Sequence, residues 1–423
     1  MRVRCDIINE TEYKERYHRL KNAIVGQSGG PSAAINATLA GVIQGVKSGG
    51  FANKLYGAKH GIQGILEEDF IDLSAVDEDT LKRIKCSPAM ALGSCRFKLP
   101  DIESDKAPYK KIEEIFDKYD IGYFFYIGGN DSMNTVLMLD KYFKSINKPV
   151  VCIGLPKTID NDLCITDHTP GFGSAAKYLA YTMNEIIADT QIYKIKCVTI
   201  VEIMGRNSGW LTLAAALPRV LGGNKPDLVY FPEIPFDKDE FLSKINPLFE
   251  KTDNVIVAVS EGIKFADGSY VSAQKCGSAD LFGHAALSGA GKYLEMLVRE
   301  HIGCKVRSIE LNILQRSAFH IASKSDIEES FAVGLSAVDT AQKGISGVMN
   351  CIIRTNNNPY AVKFEPHPIQ GIADAEKYVP LPWCDLENEQ SKKEIADYIV
   401  PLIQGDVEVF TDKNGLPDYF TFL

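Results

Sequence analysis

This sequence lacks the marks of a membrane, secreted or nucleic-acid-binding protein. No apolar run approaches the length that crosses a bilayer, and residues 1–16, MRVRCDIINETEYKER, carry no apolar core of the kind found in a secretory leader. There is no basic block. The net charge is −9, so nothing invites a polyanionic partner, and any positive charge needed for a phosphorylated ligand must be concentrated locally. The ten cysteines run from Cys5 to Cys384 without a C-x-x-C pair or a Cys/His cluster at zinc spacing, which reads as reduced thiols in a cytoplasmic protein. Low-complexity segments and short tandem repeats are missing. So is a G-x-G-x-x-G after the first strand with an acidic residue about twenty positions on, which removes a nicotinamide-dependent oxidoreductase.

What is present is alternation. With 423 residues, 45% of them hydrophobic, the chain is long enough for two domains with substantial cores. Apolar β-type runs predict strands at 22–27, 122–127, 149–155, 197–203, 227–231, 254–260 and 307–313. Helical spacing is expected over 33–46, 109–119, 132–145, 174–188, 208–221, 238–249, 290–301 and 325–342. Such alternation predicts an α/β fold with parallel sheets covered on both faces, and more units than one sheet commonly absorbs. Two domains are therefore expected, with a crossover near Gly171-Phe172-Gly173. Beyond Asn356 the prolines are scattered and no clear period emerges.

Two short runs carry the chemistry. Gly128-Gly129-Asn130-Asp131-Ser132 and Pro156-Lys157-Thr158-Ile159-Asp160-Asn161-Asp162 each follow a predicted strand, where open α/β sheets collect their ligands. Glycines in the first run let backbone N–H groups approach an anion. The second run offers two acids, a lysine and a hydroxyl. Carboxylates beside a phosphate cradle make sense when a divalent cation and an alcohol proton are also handled, which is the signature of phosphoryl transfer to a hydroxyl. Gly29-Gly30-Pro31-Ser32 opens a further helix, but by itself it is a weak signal that favours a steric turn over a phosphate loop. Asp131 likewise leaves a helix N-cap open. Met204-Gly205-Arg206, Ser94-Cys95-Arg96, Ser260-Glu261-Gly262, Arg307 and Gln315-Arg316 stand at or near strand ends, suited to forked contacts with phosphate or to ordinary ion pairs. His168 and the other histidines show no ligand spacing.

Assembled in this order, these segments resemble the phosphofructokinase family from about Asn22 to about Val348. The family's glycine loop, GGD-type and TIDND segments, MGR, strand-end glutamate and late QR stand here as Gly29-Gly30, Gly128 to Ser132, Thr158 to Asp162, Met204 to Arg206, Glu261 and Gln315-Arg316. The resemblance implies two Rossmann-like three-layer domains with the active site in the cleft between them. A donor domain of 1–172 plus about 314–375 would face a sugar-phosphate domain of 173–313 plus about 376–423. It implies Asp160 as the base that takes the 1-hydroxyl proton of fructose 6-phosphate, and Mg²⁺ near Asn130, Asp131 and Asp162. Gly29, Gly30, Gly128, Gly129 and Ser132 would hold the donor. Thr158, Ile159, Met204, Gly205, Arg206, Glu261, Gln315 and Arg316 would hold the sugar phosphate, with Arg307 reaching across from a neighbouring subunit of a homodimer or homotetramer. Lys157 and Arg96 would face the transferred phosphoryl group.

Two positions bear on the donor. ATP-using members usually carry glycine after the acidic residue of the first motif and commonly before the threonine of the second; here Asp131 and Lys157 stand there, as in pyrophosphate-dependent members. A carboxylate at 131 crowds and repels a nucleotide's α-phosphate, whereas Lys157 suits compact pyrophosphate. In that case the reaction lies near equilibrium and runs in either glycolytic or gluconeogenic direction. Three departures from the family pattern are Asn130 in place of an aspartate, Cys197 where bacterial ATP-using enzymes place a second inter-subunit arginine, and Ser317-Ala318-Phe319-His320 in place of a glycine-rich stretch. An ATP-dependent phosphofructokinase is the nearest alternative reading, separated by an assay with both donors. A non-catalytic sugar-phosphate-binding subunit is the other, and the presence of Asp160 argues against it.

Overall fold

Residues 20–95, 97–274, 289–372 and 375–423 are described in a computed structural model of the chain. Its strands are β1 (Asn22–Gln27), β2 (Leu55–Ala58), β3 (Phe70–Asp72), β4 (Ile121–Gly128), β5 (Val151–Pro156), β6 (Cys197–Ile203), β7 (Leu228–Tyr230), β8 (Asn254–Ser260), β9 (Lys305–Glu310), β10 (Val348–Asn357) and β11 (Tyr360–Pro368). Six helices bear on the site: α1 (Ile35–Gly49), α2 (Asn130–Ser145), α3 (Phe172–Gln191), α4 (Ala290–His301), α5 (Lys324–Gln342) and α6 (Glu389–Ile399).

Strand periodicity sets the layers. In β1 the side chains of Ala23 and Val25 enter one apolar core and Ile24 another, all fully buried, because successive residues of a strand face opposite ways. β4 repeats this, with Phe125 and Ile127 on one side and Phe124 and Tyr126 on the other. The first sheet has the order β11-β10-β5-β4-β1-β2-β3, and the second β7-β8-β6-β9. All pairs of the second sheet are parallel. The first is parallel through its centre, but both edges are antiparallel: β3 returns along β2 and β11 along β10. The sheets are thus mainly parallel, as expected, with antiparallel pairing confined to the margins of the first. β2 and β3 escape a reading by apolar runs because they are short, β10 because Asn350 and the exposed Thr355 to Asn357 end interrupt its run, and β11 because it lies at the edge, where polar residues such as Lys363 and Glu365 face outward.

Two predicted elements change. The 307–313 strand is instead Lys305–Glu310, since Asn312 takes a left-handed backbone (φ 43) and turns the chain into Leu314–Ser317. The 208–221 helix splits into Trp210–Ala215 and Leu217–Val220, with Pro218 removing the N–H that would have continued the first piece.

The chain crosses to the second sheet through α3, which starts after Gly171 at φ 105, a conformation reserved for glycine. It comes back through α5, which packs on α1 so closely that a Cβ on Gly41 would lie 2.1 Å from the Phe331 carbonyl oxygen. Asp326 of α5 ties the two crossings together. Its buried carboxylate accepts from the N–H groups of Gly171 (2.9 Å) and Ser174 (3.0 Å) and from the Ser174 hydroxyl (2.5 Å), capping a helix that has no cap of its own. Burial pushes its pKa up, against those three donors. Asp326→Ala orphans them together and is expected to cost about 2–4 kcal/mol, read from the urea midpoint. A loss under about 0.5 kcal/mol would show that the start of α3 is held by packing alone.

Candidate active site

Parallel pairing brings the strand ends level. Gln27 pairs with Ile127 and Ile127 with Leu155, so the loops after β1, β4 and β5 open on one edge of the first sheet. Ile203 pairs with Ser260, so the loops after β6 and β8 are level on the second. Between the two edges lies a cleft of about 520 Å³. It is lined by Gly29, Gly30, Gly129, Asn130, Asp131 and Ser132 on one side, by Met204, Arg206 and Glu261 on the other, and by Lys157, Thr158, Asp160, Asp162 and Arg316 between them.

The first wall is shaped for an anion. Gly29 has φ 82, and Gly129 precedes α2 without any side-chain cap. The positive end of a 16-residue helix therefore faces the cleft. Gly128 is needed for packing, since a Cβ there would fall 1.9 Å from Ser132 Oγ, whose hydroxyl bonds Ser28 Oγ at 3.0 Å. Lys157, whose N–H donates to the Gly128 carbonyl (3.0 Å), and Arg316 also reach this wall: a Cβ on Gly29 would lie 3.1 Å from Lys157 Nζ, and one on Gly30 2.8 Å from an Arg316 guanidinium nitrogen. Burial lowers the Lys157 pKa to about 8, against the pull of Asp160 and Asp162. Asp131 is exposed in the first turn of α2, with Lys98 Nζ 3.9 Å away.

The acidic turn is built around Asn161. This residue is fully buried with φ 55, a left-handed conformation that asparagine tolerates better than most. Its Oδ1 accepts from Thr169 N (3.1 Å) and Lys377 Nζ (3.2 Å), and its Nδ2 donates to the Tyr398 hydroxyl (2.9 Å). With Asn161 turned inward, Asp160 and Asp162 on either side face the cleft. Both carboxyls have raised proton affinity, chiefly from burial and then from neighbouring carboxylates: Glu261 beside Asp160, and Asp160 beside Asp162. Lys157, Arg206 and Arg316 pull Asp160 back toward ionisation. A base near a hydroxyl needs this balance.

The second wall hangs on β6 and β8. Gly205, at φ 133, donates its N–H to Glu261 Oε1 (3.3 Å), and Met204 donates its own to Gln315 Oε1 (3.1 Å). Ser208 Oγ donates to the Asp160 carbonyl at 3.0 Å, tying this wall to the acidic turn. Gln315 is buried and its Nε2 is used by Asn312 O (3.1 Å), while Ile159 belongs to the apolar core. Both stand behind the cleft surface and shape it from there, as do Gly128 and Gly205. Arg307 is half-buried on the edge strand β9 and does not line the cleft. Arg96 lies outside the described residues.

A hard divalent cation has a fitting oxygen set here. Asn130 Oδ1 is buried with no hydrogen-bond partner, and Asn130 Nδ2 lies 3.5 Å from Asp162 Oδ2. Among the described residues no group of three His, Cys, Asp or Glu side chains is placed to hold an ion unaided.

Sequence reasoning missed Glu376 and Asn207, which line the cleft and bond each other (Asn207 Nδ2 to Glu376 Oε1, 2.9 Å), and Lys377 behind them. Glu376 and Lys377 come from the tail that has no readable period, so no local signal could have found them. Asn161 did carry a signal, being an asparagine between two acids in a tight turn.

The chain as a whole is also similar to known proteins. The pattern of a family described as phosphofructokinase matches residues 22–341. The pyrophosphate–fructose 6-phosphate 1-phosphotransferase of Xanthomonas campestris pv. campestris is 39% identical over 400 residues, 94% of this chain and 95% of that one. The protein of the same name from Methylococcus capsulatus is 37% identical over 406 residues, 95% of this chain and 96% of that one. Among solved structures, the pyrophosphate-dependent phosphofructokinase of Marinobacter aquaeolei has a TM-score of 0.82 at 33% identity, covering 95% of each chain.

Asn161→Gly keeps the left-handed backbone accessible and deletes all three side-chain bonds. Its turnover is expected to fall about 10–100-fold with the circular dichroism spectrum unchanged, because misplacing a reacting group by about 1 Å costs on that order. Full activity would separate Asn161 from the aim of the two aspartates.

Proposed function

Because the chain belongs to the phosphofructokinase family, we infer that it transfers a phosphoryl group from pyrophosphate to the 1-hydroxyl of fructose 6-phosphate, giving fructose 1,6-bisphosphate and orthophosphate. The observation that carries the site assignment is the position of Asp160, on a locked turn between an anion-binding wall and a wall bearing Arg206 and Glu261. In this reading the first sheet with its return segment forms the donor domain, and the second sheet with the chain after about 376 forms the sugar-phosphate domain.

Fructose 6-phosphate lies against the second wall, where Arg206 and Glu261 hold it and the turn residue Thr158 lies beside its reacting end. Asp160 takes the proton of the 1-hydroxyl as that oxygen attacks one phosphorus of pyrophosphate in line. The bond from that phosphorus to the bridging oxygen breaks, and orthophosphate leaves with the electron pair. Backbone N–H groups of Gly29, Gly30 and the start of α2 hold the donor. Lys157, Arg316 and Arg96 offset charge on the moving group. Arg316 is suited to serve both substrates, since its guanidinium stands beside Gly30 as well as near Asp160. Mg²⁺, held by Asn130, Asp162 and Asp131, would supply further neutralisation of pyrophosphate oxygens. Arg307 would act in the cleft of a second copy, which makes a homo-oligomer part of the reading. A cytoplasmic site fits the cysteines described, all of them unpaired.

Donor choice follows from Asp131 and Lys157. The buried Lys157 ammonium fills the space beside Gly29, and Asp131 stands at the mouth of the same wall. Rates with pyrophosphate and ATP, measured side by side, test the assignment directly. A wild-type preference for ATP would overturn it.

Asp160→Asn is expected to lower kcat by about 10²–10⁴-fold while sugar-phosphate binding persists. Near wild-type kcat would remove Asp160 from proton transfer. For the donor, Asp131→Gly is expected to reduce kcat/KM for pyrophosphate and admit ATP, most clearly when combined with Lys157→Gly, since neighbouring changes need not add. Lys157 also sets a pH limit. Its folded pKa is depressed to about 8, so its charge is present below that value and lost above it. In the free enzyme kcat/KM for pyrophosphate should therefore fall through about pH 8, and Lys157→Arg should move that limb upward by more than about one unit. An unmoved limb would assign it to another group.

A further inference from the structure

The donor wall is held from outside by a segment that begins in the other half of the molecule. Ile395, Ile399 and Leu402 belong to the core beneath the second sheet. From Gly405 the chain leaves that core. Asp406 Oδ1 meets Lys177 Nζ at 2.7 Å, and Val407, Val409 and Phe410 pack on a separate cluster with Ala33, Ala37 and Phe319. After a turn, Asp418 pairs with Arg83 at 2.8 Å, and Phe420 and Phe422 pack on the core of the first sheet. Their backbone N–H groups donate to Ser87 Oγ (2.8 Å) and to the Ala91 carbonyl (2.9 Å).

Those two acceptors lie on a segment, 87–95, that is bonded at six points to the end of β1, the donor loop and the helix after it, two of them from Asn36 Nδ2 to the Ser87 (2.9 Å) and Pro88 (3.0 Å) carbonyls. Asn36 Oδ1 accepts from Ala91 N (2.8 Å), and Gln27 Oε1 accepts from Leu92 N (2.9 Å). Ser94 Oγ donates to the Gly29 carbonyl (2.7 Å), and Ser32 forms a backbone bridge with Ala89. Gln27 and Asn36 are fully buried and bonded to each other at 3.0 Å, so their amides have no slack to follow a displaced segment. Cys95, at the end of this segment, and Phe97 and Lys98 beyond it line the cleft.

We propose that residues 405–423 are a strap that positions the donor wall, with Phe420 and Phe422 as positioning residues for pyrophosphate binding. The inference rests on the function given above. Loss of the two rings lets 87–95 move, and with it the Ser94 bond that fixes Gly29. Among the described residues no hydrogen bond joins 87–95 to β6 or β8, and the strap's own contact near that wall, Tyr419 against Phe319 with ring centres 5.9 Å apart, is left in place when the two rings are removed.

The test compares wild type, Ser87→Ala, the double variant Phe420→Ala/Phe422→Ala and its conservative counterpart Phe420→Leu/Phe422→Leu. Amide hydrogen exchange of 87–95 and separate KM values for pyrophosphate and fructose 6-phosphate are the readouts. Expected for the double alanine variant are faster exchange over 87–95, a pyrophosphate KM raised about tenfold, and a fructose 6-phosphate KM within about twofold of wild type. Ser87→Ala, which leaves the rings in place, should shift the same two quantities less, and the leucine pair should restore them. Equal rises in both KM values, or faster exchange with the pyrophosphate KM unmoved, would overturn the proposal. Unchanged exchange over 87–95 would overturn it as well. A wild type inactive with pyrophosphate would instead refute the functional reading, while the exchange result still decides whether the strap holds the wall.

Discussion

The left-handed turn at Asn161 is the constraint on which the site depends. Its amide is bonded at both ends to groups from three separate stretches of chain: Thr169 in the same loop, Lys377 in the late segment and Tyr398 in α6. An L-residue in that conformation is mildly strained, so the turn persists because the surrounding bonds over-determine it. Asp160 and Asp162 are thereby held in the cleft although their mutual repulsion and partial burial both oppose ionisation. Lys377 reinforces the same loop through the carbonyls of Thr166 (3.3 Å) and Asp167 (2.7 Å).

The charge balance of the cleft follows from the turn. Five acids, Asp131, Asp160, Asp162, Glu261 and Glu376, share it with Lys98, Lys157, Arg206 and Arg316. Each sign makes the other tolerable: Asp160 feels three cations as well as Glu261, and Lys157 feels two carboxylates as well as Arg316. A chain with net charge −9 can bind two phosphorylated substrates because its positive charge is gathered where parallel strands end and where α2 presents its N-terminus.

Much of this was legible in local pattern. The central strands of both sheets are apolar runs because both their faces are buried, and α4 matches its expected 290–301 span residue for residue. Gly29, Gly129, Lys157, Asp160, Asp162, Arg206 and Glu261 all reach the cleft as strand-end motifs should. Edge strands were not legible, since one-sided burial and outward polar residues erase the apolar run that signals a strand. Gln315 and Ile159 were expected to touch ligand and instead stand behind the surface, because a motif gives spacing along the chain but not which side chain the packing turns inward.

The sequence by itself determined the alternation of strand and helix, the two glycine loops and the acidic turn. These are local: each needs only a few neighbouring residues and the steric rules of the backbone. Tertiary structure alone decided that Glu376 and Lys377 join the site, that Arg316 stands beside Gly30, and that Phe420 and Phe422 brace the donor wall. Those contacts join residues hundreds of positions apart. Their free energy arises from burial and from satisfying polar groups that no stretch of local sequence brings together.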